Sequence, residues 1–371
     1  MSTPIRVAQV VGNMNGGGVE QVVMNYHRHI DRSRVQFDYL VCEGSVMVPI
    51  GEIESLGGRV FTVPPYSDAL GYRRALVRLF GSERWRIVHS HMNALSVFPL
   101  SAAKAAGVPV RIAHSHSTSG RGEYARNAVK AVLRRFSNVY PTYRMACSRY
   151  AGEWLFGKGA DFEVVPNAIE LGHFSFDPAA RARLRAELGV GPSTLVVGHV
   201  GRFMEQKNHR FLVDVFTALH RERPDSLLVL VGEGPLRPEI ERRIEDLGLA
   251  DFVHFLGQRG DVNELYSAFD VFCLPSLYEG LPVVAVEAQA GGLPIVASTE
   301  ITNEIAVSPS VVMLGLGKGA ACWATELIRS FDTFKARKPA SAIGEWDIEN
   351  SARILCRRYD RLQNSSFNES C

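Results

Sequence analysis

Thr194–Leu212, TLVVGHVGRFMEQKNHRFL, decides how this chain is read. The run Thr194–Val200 reads as a strand, Gly201 as a turn, and a helical pattern begins near Asn208. Arg202 and Lys207 stand in the turn. A strand, a glycine turn and a helix with two cations between them is how an α/β protein builds a site for a negative group. Arginine offers a planar fork and lysine a mobile point charge, so the two together suit a diphosphate. Either cation alone is more often a solvated surface charge; two at one turn carry the argument.

Pro275–Glu287, PSLYEGLPVVAVE, repeats the design. Pro282 fits the first helical position, where its missing N–H costs nothing. Glu279 then lies in the loop at the helix mouth, and Glu287 about a turn and a half inside. The unpaired N–H groups of a helix N-terminus suit a phosphate. Carboxylates on either side accept hydrogen bonds from sugar hydroxyls. Taken alone, the Glu-x7-Glu spacing reads better as a helix cap and a surface carboxylate.

Outward from these stretches, short β runs alternate with helical patterns. Ile5–Val11, Phe37–Val41, Arg59–Val63, Ile87–His89 and Val110–His114 read as strands of a first half. Leu195–Val200, Leu227–Val231, Val253–Leu256, Val271–Leu274 and Pro294–Ala297 read as strands of a second. Such alternation predicts two Rossmann-like, doubly wound parallel sheets. The boundaries expected are 1–168 for the first domain and 169–345 for the second. Ile348–Leu362 reads as a helix, and the tail from Asn364 as polar chain outside it. Ligands of open α/β sheets bind beyond the carboxyl ends of the strands. The Gly12–Gly18, His91, His114 and His116 set and the Gly201–Lys207, Gly232–Gly234 and Ser276–Gly280 set are expected there, facing each other across a cleft.

Gly16, Gly17 and Gly18 precede the helical segment Val19–His29, where bare backbone N–H groups suit a diphosphate or its sugar; a plain flexible loop fits as well. Three His-x-His pairs occur, His27/His29, His89/His91 and His114/His116. On a strand that spacing places both rings on one face. Zinc is disfavoured because no cysteine or carboxylate joins them at ligand spacing. No Asp-x-Asp occurs to hold Mg²⁺ on a diphosphate, so Arg202, Lys207 and helix N-termini are expected to neutralise the charge without metal or other cofactor.

Eight stretches in order carry a resemblance: Gly12–Gln21, Val88–Asn93, Arg111–Thr118, Val165–Ile169, Gly201–Asn208, Val231–Arg237, Phe255–Val262 and Glu279–Glu287. With them, nearly the whole chain resembles the retaining GT-B glycosyltransferases of family 4, especially those of exopolysaccharide and capsule synthesis. The resemblance implies a nucleotide-sugar donor, with uridine preferred over guanosine, and a glycan or lipid-linked acceptor. It implies that Arg202 and Lys207 hold the diphosphate, that Glu279 lies by the donor sugar and that Glu287 binds the ribose diol. Gly17, Gly18, Gly280 and Leu281 join the donor site, and Gly257 and Arg259 belong to the loop of base contacts, often made by backbone. His116 matches the histidine that contacts the sugar, with His114 a close second; His91, Asn93 and His114 are placed on the acceptor side. In GT-B proteins the chain's end, here residues 346–371, crosses back to the first domain. A GT-B sugar-nucleotide 2-epimerase, a phosphorylase, or a non-catalytic sugar-nucleotide-binding subunit are the rival readings.

The chain has 371 residues, 46% hydrophobic and 22% charged, as in soluble globular proteins, and no run of 18 apolar residues. The start, MSTPIRVAQVVG, enters a strand without a signal-peptide pattern, and the six cysteines form no Cys-x-x-Cys, so a cytoplasmic protein with reduced thiols is expected. The net charge of +2 hides an asymmetry: residues 1–165 hold 20 Lys/Arg against 12 Asp/Glu, the rest 21 against 27. Tyr72–Arg86 and Arg121–Arg135 are basic and amphipathic, with Val129, Val132, Leu133 and Phe136 on a face apart from Arg126, Lys130 and Arg134. Such a helix suits the surface of an anionic membrane, or solvent equally well. Nucleic acid is not expected, since no binding motif accompanies the charge.

Overall fold

The structure is a computed structural model that describes residues 3–116, 124–339 and 341–368. The chain divides into two compact units. The first holds the described residues up to Ile169 together with those from Glu345 on; the second holds Glu170–Gly344.

In the first unit the strands are β1 (Ile5–Gly12), β2 (Val35–Cys42), β3 (Arg59–Val63), β4 (Ile87–Ser90), β5 (Val110–Ser115), β6 (Tyr143–Ala146) and β7 (Glu163–Val164). They form one sheet in the order β3-β2-β1-β4-β5-β6-β7, and every pairing is parallel. The second unit has β8 (Leu195–Val200), β9 (Ser226–Val231), β10 (Val253–Gly257), β11 (Val271–Leu274), β12 (Ile295–Ser298) and β13 (Val311–Leu314), in the order β10-β9-β8-β11-β12-β13, again all parallel. Parallel strands covered by helices on both faces read as continuous apolar runs, and β9, SLLVLV, is buried throughout. The first core gathers Val10, Leu40, Leu76, Phe80, Trp85 and Leu100; the second gathers Val197, Phe203, Leu212, Phe216, Leu228 and Trp323.

In each sheet the strand order reverses once, between β1 and β4 in the first and between β8 and β11 in the second. At such a switch point the two adjoining loops part to opposite faces and leave a crevice for a ligand. Gly232, at φ +133, keeps the turn after β9 tight against the turn after β8: a Cβ there would come 2.3 Å from the Gly201 carbonyl oxygen.

Beyond Gly344 the chain rejoins the first unit. Ile169 and Asp347 form a parallel bridge, and the helix Ile348–Asn368 packs on the helix Gly18–His29. That helix runs six residues past Leu362, so the stretch from Asn364 to Asn368 is helical, where the sequence suggested polar chain outside the helix. Its loss of apolar period hid the continuation.

Candidate active site

Because β8 and β11 are hydrogen-bonded neighbours, the loops at their carboxyl ends emerge side by side. The Leu277 N–H donates to the Gln206 carbonyl at 2.8 Å, and the Gln206 side-chain amide donates to the Tyr278 carbonyl at 3.0 Å. This stitching fixes Glu279. Its Oε1 lies 2.6 Å from Lys207 Nζ, and its Oε2 accepts from Gln206 Nε2 at 2.9 Å. The Lys207 stem lies over Gly201, where a Cβ would come 3.0 Å from Cε. Asn208, at φ +57, ends the turn in the left-handed region and donates to the Pro275 carbonyl at 3.2 Å. Arg202 is exposed and has no ion pair among the described residues. One cation is therefore anchored by a carboxylate, and the other is presented to solvent. An ammonium has three donors and a carboxylate about four acceptor positions, so the Lys207–Glu279 pair retains capacity for phosphate and hydroxyl groups.

Pro282 caps the helix Val283–Ala290 and stands one place before its first residue, where the sequence pattern suggested a place inside. Glu279, Gly280 and Leu281 lead into the cap, and Glu287 lies one turn in. Tyr266, fully buried, donates its hydroxyl to Glu287 Oε2 at 2.7 Å. Burial pushes the Glu287 carboxyl up to about 7, against the opposing pull of Tyr266 and the Lys207 charge. A carboxyl poised near neutrality accepts strongly once ionised and donates when protonated.

Two donor-site expectations change on inspection. Arg259 grips Asp261 with two parallel hydrogen bonds, 2.8 and 2.7 Å, and reaches Glu187 at 3.1 Å. Its guanidinium is committed to protein carboxylates of the second unit. The Gly17 N–H donates to Glu20 Oε2 at 2.6 Å, and the Asn15 N–H donates to Glu20 Oε1 at 3.0 Å. Glu20 thus closes the mouth of the helix Gly18–His29 as one half of a capping box, occupying the very N–H expected for a phosphate. Gly18, with nothing within 4 Å of where a side chain would begin, is the open member of the loop.

In the first unit, β4 and β5 run side by side and bring four histidines together. His89 stacks on His91 at 4.2 Å between ring centroids, and His114 on His116 at 4.0 Å. His91 Nδ1 lies 2.9 Å from His116 Nε2, and His91 Nε2 lies 2.8 Å from Gln9 Oε1. His89 Nε2 lies 3.0 Å from His114 Nδ1, and His89 Nδ1 lies 2.7 Å from the Tyr359 hydroxyl. Asn93, at φ +51, accepts the His116 N–H at 2.6 Å. Burial lowers His116 to about 4 and holds the other three well below the usual imidazole range, so all four are neutral. His91 and His114, expected on the acceptor side, are buried like His116, and both ring nitrogens of His91 are engaged by His116 and Gln9. Nitrogens of His89, His91 and His114 lie within 4.8 Å of one another, near enough to ligate a metal, but the contacts within the cluster are those of hydrogen-bonded rings.

Gln206 and Glu20, which lie within quoted stretches but were given no role there, and Tyr266, Gln9 and Tyr359, which belonged to no motif, support these sites. The helix Tyr124–Arg134 also departs from expectation: Leu133 packs on the first core while Val129, Val132 and Phe136 face outward. The side chain of Arg126 lies outside the described residues. No helix among the described residues is long and apolar enough to cross a membrane. The described cysteines are all free thiols.

Residues 17–168 match the family model described as glycosyl transferase 4-like domain, and residues 194–314 match that described as glycosyl transferases group 1. EpsF of Bacillus subtilis (strain 168), named as a glycosyltransferase, is 38% identical over 342 residues, which cover 89% of this chain and 88% of that protein. The UDP-Gal:alpha-D-GlcNAc-diphosphoundecaprenol alpha-1,3-galactosyltransferase of Escherichia coli is 29% identical over 283 residues, 71% of this chain and 72% of that one. Among solved structures, Anabaena Alr3699/HepE in complex with UDP and glucose matches with a TM-score of 0.79 and 19% identity, over 96% of this chain and 99% of that one. At that identity the likeness bears on the fold, and the fold is GT-B. The chain belongs to the glycosyl transferases of group 1, family 4, and resembles those of exopolysaccharide synthesis.

Proposed function

We propose that this glycosyltransferase moves a sugar from a UDP-sugar to a lipid-linked glycan, with retention of anomeric configuration and without a metal. The observation that carries the reading is the Lys207–Glu279 pair, held by Gln206 at the switch point of the second sheet. Lys207 and Arg202 would hold the diphosphate; Glu279 would orient the sugar, Glu287 the ribose, and His116 the sugar near its reacting carbon. As the bond from the anomeric carbon to the phosphate oxygen breaks, charge grows on the leaving diphosphate, where fixed cations stabilise it. The acceptor hydroxyl bonds to that carbon on the same face, and its proton passes to a phosphate oxygen. Uridine and the lipid-linked acceptor are supported by the names of the relatives, which include a UDP-Gal-dependent enzyme acting on a diphosphoundecaprenol glycan.

Reversible contact with an anionic membrane belongs to the same proposal. Val129, Val132, Phe136 and Val139 are each about half exposed, and Arg135 stands exposed among them. An apolar ridge beside basic residues suits the interface of an anionic bilayer on the cytoplasmic side.

A screen of UDP-glucose, UDP-galactose, UDP-N-acetylglucosamine and GDP-mannose by thermal shift, with product analysis on an undecaprenyl-diphosphate-linked sugar as the second step, tests the reading. Expected are stabilisation by a UDP-sugar, product only when acceptor is present, an unchanged anomeric configuration, and turnover unaffected by EDTA. Free-sugar or epimer formation without acceptor would favour an epimerase or phosphorylase. Binding without product under any acceptor would favour a non-catalytic subunit.

A further inference from the structure

Gln9, on β1, joins two imidazole pairs into one chain. Its Oε1 meets His91 Nε2 at 2.8 Å, and its Nε2 meets the Tyr359 hydroxyl at 3.3 Å. The sequence of contacts is therefore His116–His91–Gln9–Tyr359–His89–His114, all of it buried. A neutral imidazole has one donor and one acceptor, so each ring passes on the direction of its hydrogen bond. Only two arrangements satisfy the whole chain.

In one, Gln9 presents its oxygen to His91. His91 then carries its proton on Nε2 and accepts from His116 Nε2–H, and His116 Nδ1 is an acceptor that faces the Asn167 amide. Turning the Gln9 amide over reverses every bond, and His116 Nδ1 becomes a donor, matched to Asn167 Oδ1 at 3.4 Å. Which way an amide or an imidazole points is decided by such networks. The Tyr359 hydroxyl, which both donates and accepts, is the link through which either arrangement reaches the C-terminal helix.

We propose that Tyr359 is a positioning residue for His116: its hydroxyl couples the direction of the His91–His116 pair, through Gln9, to that of the His89–His114 pair, and so governs which nitrogen of His116 bears the proton. The proposal rests on the reading of His116 as the ring that meets the donor sugar. Depressed protonation throughout the cluster supports it, because a charged ring would donate at both ends and break the relay.

The test is Tyr359→Phe in the full chain, which keeps the ring and removes the link. Histidine labelled with ¹⁵N, read through its long-range ring correlations, reports the tautomer of His116; His116→Ala assigns the signal. Expected are a single His116 tautomer in the parent, and a mixed or reversed one in Tyr359→Phe. Turnover should fall about 2- to 12-fold, the span of one neutral hydrogen bond, with donor KM unchanged. Tyr359→Phe should cost nothing further on a His116→Ala background. An unchanged His116 spectrum, or an equal turnover loss in both backgrounds, overturns the proposal. A changed tautomer with turnover intact, together with an active His116→Ala, overturns the reading of His116 while leaving the relay standing. Should Tyr359→Phe fail to fold, Gln9→Met cuts the same chain one link nearer His116 and is read in the same way.

Discussion

At the switch point of the second sheet a lysine and a glutamate meet at 2.6 Å; in the first, four imidazoles stack along β4, which borders the switch point, and its outer neighbour β5, and burial keeps all of them neutral. Both units use a parallel sheet whose order reverses once and whose neighbouring strands end side by side, β8 and β11 across the reversal in one and β4 and β5 beside it in the other. The difference lies in the residues just beyond the strands. After β8 and β11 come glycine-containing turns that carry a largely buried lysine–glutamate pair and the exposed Arg202. After β4 and β5 the His-x-His spacing turns the rings inward, over Gln9 and Tyr359. One scaffold thus yields a charged clamp and an uncharged, directional hydrogen-bond network. The first suits a phosphate whose charge grows during reaction, the second a polar group that must be oriented.

Removing the clamp's anchored cation should separate the two sites most sharply. Lys207→Ala should weaken nucleoside diphosphate binding about 10- to 150-fold, the range of a charge-assisted hydrogen bond at 1.5–3 kcal/mol. Turnover should fall further, because the interaction strengthens in the transition state. Affinity for the plain nucleoside should not change. Calorimetry with both ligands decides it; an equal loss for both would make Lys207 a structural residue. Arg202→Lys should recover only part of wild-type affinity, since the planar fork is lost.

Acid should separate the units next. An imidazole whose folded-state pKa is depressed takes up its proton more readily in the unfolded chain, so its contribution is present above about 6.5 and lost as pH falls toward 4. The first unit holds His27 and the four-ring cluster, against His199, His209 and the less buried His220 in the second. Hydrogen exchange from pH 6.5 to 4.5 should show β1, β4 and β5 losing protection before β8 and β11. Simultaneous loss would mean that the cluster does not govern acid stability.

Glu287 runs the opposite way. Its folded-state pKa is raised, so the folded protein holds the proton more tightly, and its contribution to stability is lost as pH rises from about 4.5 through 7. Binding gains what stability loses, because the ionised carboxylate is the better acceptor for a ribose diol. The preference for a ribonucleoside over a deoxyribonucleoside diphosphate should rise about fivefold from pH 6 to 8, the difference between a neutral and a charge-assisted hydrogen bond. Taking the ratio of the two ligands cancels the titration of the phosphate. Glu287→Gln should flatten the profile; a flat wild-type profile would remove Glu287 from the ribose site.

The smallest effect expected is at the surface. Vesicles with anionic lipid should bind the protein more than neutral ones, and salt should release it, since a Debye length of about 10 Å at 0.1 M screens such attraction. Val132→Asp should weaken binding a few-fold. Equal binding to neutral and anionic vesicles would exclude the electrostatic contribution of the basic first half.

Long apolar runs made most of the fold legible: β8 and β11 lie where their β-rich stretches predict, and β3 likewise. β6, β7 and β13 escaped because strands of two to four residues, partly exposed, are too short to display a period. For the clamp, Arg202 and Lys207 stood out because charge next to a glycine turn is a local signal, whereas the roles expected of Glu279 and Glu287 came from the family resemblance. Gln206 and Tyr266 were not, because their roles depend on a loop neighbour or a partner from another element. The histidine network was half legible. Spacing placed two rings on one face, but nothing local announces that Tyr359, 270 positions from His89, completes the hydrogen bonds.

That distance along the chain has a consequence for how the protein is made. The second unit, Glu170–Gly344, is continuous in sequence and can close its core while later residues are still unmade. The first unit cannot: the Ile169–Asp347 bridge, the Arg34–Asp360 and Glu163–Arg358 ion pairs, and the Tyr359 link all need the helix Ile348–Asn368. Domains usually mature on the ribosome in the order of their sequence. Here the order is inverted, and the half synthesised first finishes folding last, its basic surface and apolar ridge waiting on the final helix.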